Sequence, residues 1–197
     1  MIEYKTALGY LSVLIALISY VFYFRGIFIG KVKPHAFSWF LWSLTTTTVF
    51  FAQVVKGGGP GAWVTGFTAF ACLIIFFLAL SKGSREFRKW DWVFLLSAFL
   101  SLLLWWFTRD PTLSVILITI TDALASGPTI LKGYYKPFEE GVSLFALAFL
   151  KFILALFALE NYTLATWLYP ASLVLTNGVI TLVILTRRKF YTTSSLK

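Results

Sequence analysis

The chain carries the pattern Gly-x-x-Lys-Pro twice. It occurs as Gly30-Lys-Val-Lys-Pro34 and, 103 residues later, as Gly133-Tyr-Tyr-Lys-Pro137. An apolar stretch precedes each copy of the pattern, and two further apolar stretches follow it. A shift of 103 residues superimposes the first three stretches on the last three without a gap, and places Ala62 on Ala165. The sequence therefore predicts an internal repeat of two three-helix units.

The composition is that of a protein surrounded by lipid. Hydrophobic residues make up 59% of the 197 residues and charged residues only 13%, whereas a soluble domain carries about 25% charged residues. The net charge of +9 suits a nucleic-acid-binding protein, but the basic residues lie in short loops between apolar stretches rather than on one folded face. We therefore expect the lipid bilayer as a partner and no nucleic acid.

Seven apolar stretches have roughly the length of membrane-spanning helices, which need about 20 residues. They cover residues 7–24, 36–55, 61–80, 92–107, 111–131, 141–159 and 162–186. Backbone polar groups in lipid must be hydrogen-bonded within the segment, and the stretches lack the alternation of barrel strands. The predicted fold class is all-α, a polytopic membrane protein with seven transmembrane helices.

The repeat and the number of helices together predict the domain organisation. Two three-helix units can enter the membrane in the same orientation only if a further helix lies between them. The expected order is a first three-helix unit over residues 1–82, a linker helix over 83–110, a second unit over 111–186 and a tail over 187–197. This 3+1+3 plan is a parallel repeat about an axis along the membrane normal.

The distribution of Lys and Arg over the two sides predicts the orientation. One side holds Arg25, Lys31, Lys33, Lys82, Arg85, Arg88, Lys89, Lys132, Lys136, Arg187, Arg188, Lys189 and Lys197. The other side holds only Lys5, Lys56 and Arg109. Because cytoplasmic loops are enriched in Lys and Arg, the C-terminus is expected in the cytoplasm and the N-terminus outside. The plasma membrane is the expected location.

The stretch Pro128-Thr-Ile-Leu-Lys-Gly-Tyr-Tyr-Lys-Pro-Phe-Glu-Glu-Gly-Val-Ser143 resembles the PQ-loop signature of the SWEET sugar facilitators and the lysosomal PQ-loop carriers. Thr129 stands where that signature has Gln, and the first repeat has Arg25-Gly26 in place of Pro-Gln. Asn177 lies in a segment that is similar to one lining the SWEET sugar pocket. The resemblance implies the 3+1+3 fold and a solute pocket. The nicotinamide-riboside carriers and the KDEL receptor share this plan, so fold alone does not choose the function.

Two ionisable residues lie near the middle of predicted spans, Asp122 in the fifth and Lys151 in the sixth. Each costs roughly 2.5–3.5 kcal/mol at the centre of a membrane helix, so both must face protein or water. The two helices are sequential, and we expect the side chains to share one polar cavity and to interact directly or through one water. A structural ion pair and a solute or proton site are the two interpretations.

Further candidates for solute binding lie on the second and fifth helices. Trp39, Ser43, Thr46 and Gln53 fall on one face of the second helix, where a tryptophan ring and polar groups together suit a small polar solute. A membrane-interface belt is the other interpretation of Trp39. On the fifth helix, Ser126 lies one turn after Asp122.

Four prolines are candidate hinges because proline interrupts helical hydrogen bonding. They are Pro34, Pro128, Pro137 and Pro170. For Pro34 and Pro137, a purely structural position in the first turn of a helix is an equal alternative.

The function expected from these features is transport of a small polar solute, such as a sugar or a nucleoside, by alternating access between the two units. A non-transporting receptor, scaffold or complex subunit is the alternative. An enzyme is not expected, because no nucleophile and base pair stands out. No cofactor or metal is expected either, since His35 is the only histidine and has no second ligand nearby. A homo-oligomer is an open alternative for the assembly of the chain.

Overall fold

The computed structural model describes residues 2–32, 34–83, 89–135, 137–138 and 142–194. The helices are α1 (Ile2–Phe28), α2 (Ala36–Val55), α3 (Trp63–Lys82), α4 (Lys89–Thr108), α5 (Thr112–Ala125), α6 (Gly127–Tyr135), α7 (Val142–Ala158) and α8 (Leu164–Ser194). A short 3-10 helix, Gly59–Ala62, precedes α3. No β-strand occurs in these ranges, so the predicted all-α class is confirmed. Lys33 and Lys136, the lysines of the repeated pattern, lie outside the described residues.

Four helical segments are long and apolar enough to cross a membrane. They are Glu3–Phe28, Gly59–Lys82, Thr112–Tyr135 and Leu164–Thr192. The apolar helices Trp92–Thr108 and Val142–Ala158 are shorter. α2 has 20 residues, which gives a length of about 30 Å, but threonines and Gln53 lower its hydropathy. Large apolar side chains such as Phe70, Leu96 and Phe107 are exposed on the outside of the bundle, as contact with lipid requires.

Helices α5 and α6 form one helical segment that is interrupted at Ser126. The Ser126 backbone N–H donates to the Asp122 carbonyl oxygen at 3.1 Å, and the Ile130 N–H donates to the Ser126 carbonyl oxygen at the same distance. Pro128, the second residue of α6, has no N–H to bond the Leu124 carbonyl oxygen. The sequence predicts a local break in the helix at Pro128. The interruption lies at Ser126, two residues before the proline.

The third helix of each predicted three-helix unit packs against the other helices of that unit. α3 packs along α2 and α1, and α8 packs along α7, α5 and α6. We call the group α1–α3 the first triplet and the group α5–α8 the second triplet. Between the triplets, α1 packs along α7, and α2 contacts α8 and α5. α4 lies against α5 and α2.

One end of the bundle carries the C-termini of α1, α3 and α8, and we call it the basic end. There the Lys82 ammonium lies 4.7 Å from the ring centroid of Phe28, which joins the ends of α3 and α1. Arg187 on α8 donates from Nε to the Tyr134 carbonyl oxygen at the end of α6, at 3.1 Å. These contacts each lie within one triplet.

At the opposite end, hydrogen bonds connect the two triplets. Lys5 on α1 donates from Nζ to the Leu159 carbonyl oxygen at 2.7 Å. The Glu160 N–H donates to the Gly58 carbonyl oxygen at 3.2 Å. Gly57 has a φ of 70°, a conformation that favours glycine, and lets the loop after α2 turn tightly against the loop after α7.

A layer of fully packed side chains separates the opposite end from the middle of the bundle. It contains Val49, Ala52, Val115, Ile118, Ala165 and Tyr169, from α2, α5 and α8. We call this cluster the closed layer. Beside it, Gln53 is fully buried and donates from Nε2 to the Thr166 carbonyl oxygen at 2.8 Å. The opposite end is thus closed by contacts that cross from one triplet to the other.

Candidate functional site

A cavity of about 410 Å³ lies between the two triplets. It runs from the closed layer, where Tyr169 lines it, to the basic end, where Pro34 and His35 line it. Its lining comes from every helix of both triplets, while α4 contributes no lining residue among those described. A cavity of this size is typical of sites for small molecules.

Lys151 lies in the wall of this cavity and is only 4% exposed. Its ammonium donates one hydrogen bond, to the Thr68 hydroxyl on α3, at 3.2 Å. It also lies 4.9 Å from the ring centroids of Tyr20 and Phe152, and such cation–π contacts offset part of the cost of burying the charge. In the described part of the chain, no carboxylate lies within ion-pair distance of it. Two of its three donors therefore remain for another partner.

Asp122 on α5 lines the same cavity and is half-buried. Across the described ranges, no residue donates a hydrogen bond to its carboxylate or forms an ion pair with it. The sequence predicts that Asp122 and Lys151 interact directly or through one water, and the direct contact is not formed. The reason is the packing order, because α8 lies between α5 and α7. The two charges share a cavity but stand on different walls.

Four other predicted binding residues also line the cavity. They are Trp39, Thr46, Ser126 and Asn177. The Ser126 hydroxyl donates to the Asp122 carbonyl oxygen at 3.1 Å, and the Asn177 amide donates from Nδ2 to the Leu173 carbonyl oxygen at 2.7 Å. The side-chain oxygens of Ser126 and Asn177 therefore remain as acceptors on the cavity wall.

Ser43 and Gln53, predicted on the same face of α2, do not line this cavity. Ser43 is buried and donates to the Phe40 carbonyl oxygen at 2.7 Å. Gln53 lies beyond the closed layer, at the opposite end. Gln53 is excluded because α8 and α5 cover the part of α2 that lies beyond Thr46. Ser43 lies between the lining residues Trp39 and Thr46 along the helix, but its side chain is buried outside the cavity.

The aromatic and polar groups that α1 and α3 contribute to the cavity are not among the residues predicted from the sequence. Tyr20, Tyr23 and Thr68 all line the cavity. The rings of Tyr23 and Trp39 are 5.1 Å apart, so α1 and α2 together form an aromatic wall. The signal that was available is the presence of tyrosine hydroxyls deep in an apolar stretch, where each needs a polar neighbour.

The predicted hinge prolines take different positions. Pro34 is buried, lines the cavity and directly precedes His35, whose Nδ1 accepts from the Ser38 N–H and caps α2. Pro137 is buried in the turn after α6, and Pro170 lies inside α8. Pro34 and Pro137 thus stand outside the first helical turns that were the alternative for them. A hinge role remains a prediction for all four prolines.

The described residues contain no group of three potential metal ligands. Comparison with protein-family models, with curated proteins and with solved structures finds no match for this chain. What it does must therefore be inferred from the cavity itself.

Proposed function

We propose that this protein is a small-solute carrier that works by alternating access between its two triplets. The observation that carries the proposal is a cavity of about 410 Å³ that reaches the basic end and stops at the closed layer. A carrier in one of its two access states requires a central site that is reachable from one end only.

The packing order supports the 3+1+3 plan with seven membrane spans. In both triplets the third helix packs against the first and the second, as two copies of one unit would. α4 packs on the outside, against α5 and α2, which suits a linker that does not border the solute path.

Contacts at the opposite end act, in this proposal, as the gate that must open in the other access state. Gln53 joins α2 to α8, and Lys5 joins α1 to the end of α7. The Lys56 ammonium also lies 2.5 Å from Asp110, ahead of α5. The first two contacts cross between the triplets, and the third joins the first triplet to Asp110, which accepts from the Thr112 N–H at the start of α5 at 2.7 Å. All three would break together if the triplets moved apart at this end.

With the basic end in the cytoplasm, as the positive-inside rule implies, the protein is in an inward-open state. The proposed location is the plasma membrane.

Accessibility of single cysteines tests this state. In a Cys72→Ala background, Ser38→Cys on the cavity wall should react with a membrane-impermeant maleimide from the basic end. Ser43→Cys, on the same helix but buried outside the cavity, is the matched control and should stay unmodified. Equal labelling of both sites, or labelling of Ser38→Cys from the opposite end alone, contradicts the inward-open assignment.

Uptake separates a carrier from the non-transporting alternative. Proteoliposomes are tested with radiolabelled glucose, uridine and phenylalanine, as examples of a sugar, a nucleoside and a zwitterion. Lys56→Cys and Asp110→Cys, joined by a short bifunctional maleimide, should stop uptake because the gate can no longer open. Binding of a solute without uptake in any orientation of the protein favours a receptor or scaffold.

A further inference from the structure

The cavity has two charges of opposite sign that do not neutralise each other. Building on the proposed carrier function, we propose that the solute is a small zwitterion, whose anionic group binds Lys151 and whose cationic group binds Asp122. This assigns a chemical class of solute and a role to each charge.

The first step concerns Lys151. Its ammonium is almost fully buried, yet it forms only one hydrogen bond, to an uncharged hydroxyl, and two ring contacts. A buried charge is stabilised by an opposite charge or by several hydrogen bonds. Because Lys151 lines the cavity, the position next to it is accessible to a solute, and the group that fits there is an anion such as a carboxylate.

The second step concerns Asp122. Its carboxylate also lines the cavity, without a donor from the described residues. A cationic group such as an ammonium fits its two oxygens. α8 lies between the helices that carry Asp122 and Lys151. A solute with both charges can bind Lys151 and Asp122 at the same time. An anion, a cation or a neutral molecule leaves at least one of the two charges without a partner.

The third step concerns the rest of the wall. A sugar needs many hydrogen-bonding groups around its ring, but Ser126 and Asn177 use their donors within their own helices. Aromatic rings form another part of the wall: the ring centroids of Trp39 and Trp42 are 5.1 Å apart, and the Tyr23 ring lies beside Trp39. This wall suits an apolar or aromatic side group on the zwitterion.

Thermal-shift and binding measurements in detergent test the proposal with phenylalanine and three matched compounds. Phenylalaninamide keeps only the cationic group, N-acetylphenylalanine keeps only the anionic group, and glucose has neither. A series of glycine, 4-aminobutyrate and 6-aminohexanoate varies the separation of the two charges. We expect at least one zwitterion to bind about tenfold or more tightly than either single-charge compound, because each single-charge compound lacks one of the two charged hydrogen-bonding groups.

Variants assign the two charges. Lys151→Gln should remove the preference for a zwitterion over phenylalaninamide, and Asp122→Asn should remove the preference over N-acetylphenylalanine. Each variant should still bind the compound that lacks the group whose partner was removed, which shows that it is folded. Lys82→Gln, outside the cavity at the basic end, should leave all affinities unchanged. If a cavity variant does not fold, the preference of the unmodified protein decides.

The proposal is overturned if no zwitterion of the set stabilises the protein, if glucose binds more tightly than all of them, or if neither variant changes zwitterion affinity. Uptake of glucose or uridine that survives both substitutions would reject the zwitterion but keep the carrier. Zwitterion binding without uptake in proteoliposomes would keep the site but reject the carrier.

Discussion

The side chain of Gln53 on α2 supplies a hydrogen bond that Pro170 on α8 cannot make. In a regular helix, the N–H of residue 170 would bond the Thr166 carbonyl oxygen, but proline has no N–H. Gln53 donates from Nε2 to that same oxygen at 2.8 Å, in a fully buried position. The proline therefore creates an acceptor in one triplet, and the glutamine of the other triplet occupies it.

Replacing Gln53 by Leu should lower the free energy of unfolding by about 1–3 kcal/mol, because the Thr166 carbonyl oxygen is left buried and unpaired. Pro170→Ala restores a backbone donor for that oxygen. The double variant should therefore be more stable than the sum of the two single changes predicts. Thermal unfolding in detergent measures the stability of the unmodified protein, the two single variants and the double variant.

Thr48→Val serves as the matched control for the loss of a buried polar group on α2. The Thr48 hydroxyl donates to the Leu44 carbonyl oxygen of its own helix, so Pro170→Ala should not rescue this variant. Strict additivity of Gln53→Leu and Pro170→Ala would show that the two residues act independently.

The ion pair at the opposite end predicts a pH dependence. The Lys56 ammonium, with a smaller contribution from Thr112, lowers the pKa of Asp110 from 3.8 to about 2. A lowered carboxyl pKa stabilises the folded protein above pH 3.8, and this contribution is lost as the pH falls towards 2. Since both side chains are partly exposed, we expect it to stay under about 1 kcal/mol.

Carbon-13 NMR of the Asp110 carboxyl group gives the pKa directly. Lys56→Met should raise the midpoint towards 3.8, whereas Lys82→Met at the basic end should leave it in place. If the Asp110 midpoint is the same in the unmodified protein and in Lys56→Met, the ion pair does not form.

The cap of α2 predicts a specific ranking of substitutions at His35. Its Nδ1 accepts from the Ser38 N–H at 3.4 Å, and an uncapped helix N-terminus costs about 0.5–2 kcal/mol. His35→Ala should lower the unfolding temperature, and His35→Asn, which keeps a cap acceptor, should lower it less. Equal losses for Ala and Asn would mean that His35 acts through its other contacts.

Reporter fusions test the orientation on which the proposed inward-open state depends. A reporter fused after Lys197 should be cytoplasmic, and one inserted at Gly58 should be external, because Lys and Arg are concentrated at the basic end. The reverse pattern would turn the cavity towards the outside. Reporters on the same side would contradict an odd number of spans.

The helices could be predicted from the sequence because apolar length alone determines them in lipid. The predicted span 36–55 coincides with α2 (Ala36–Val55), and the described residues of the other six predicted segments are helical over most of their length. The lateral order of the helices is not encoded in such a pattern. For this reason the sequence predicts a contact between Asp122 and Lys151, whose helices are sequential in the chain, although α8 packs between these helices.

Some residues of the candidate site could also be predicted from the sequence, and others depend on how the helices pack. Asp122 and Lys151 could be found because a charge in an apolar span stands out energetically. Thr68 could not, since a threonine hydroxyl in a helix can bond its own backbone and needs no distant partner. The Tyr20 hydroxyl does signal a polar neighbour, but which residue supplies it depends on packing. Pro170 and Gln53 are both candidate functional residues in the sequence, but their pairing depends on how α2 and α8 pack.

The Lys151 ammonium both lines the cavity and forms a hydrogen bond from the second triplet to Thr68 in the first. Lys151 belongs to α7, but its ammonium is bonded to Thr68 on α3 and lies over Tyr20 on α1. In the proposed carrier, a solute anion that draws this ammonium into the cavity would weaken a contact between the triplets, and site occupancy would be thermodynamically linked to the balance of access states. Substitutions at Thr68 should then shift affinity and exchange rate together, although Thr68 itself carries no charge.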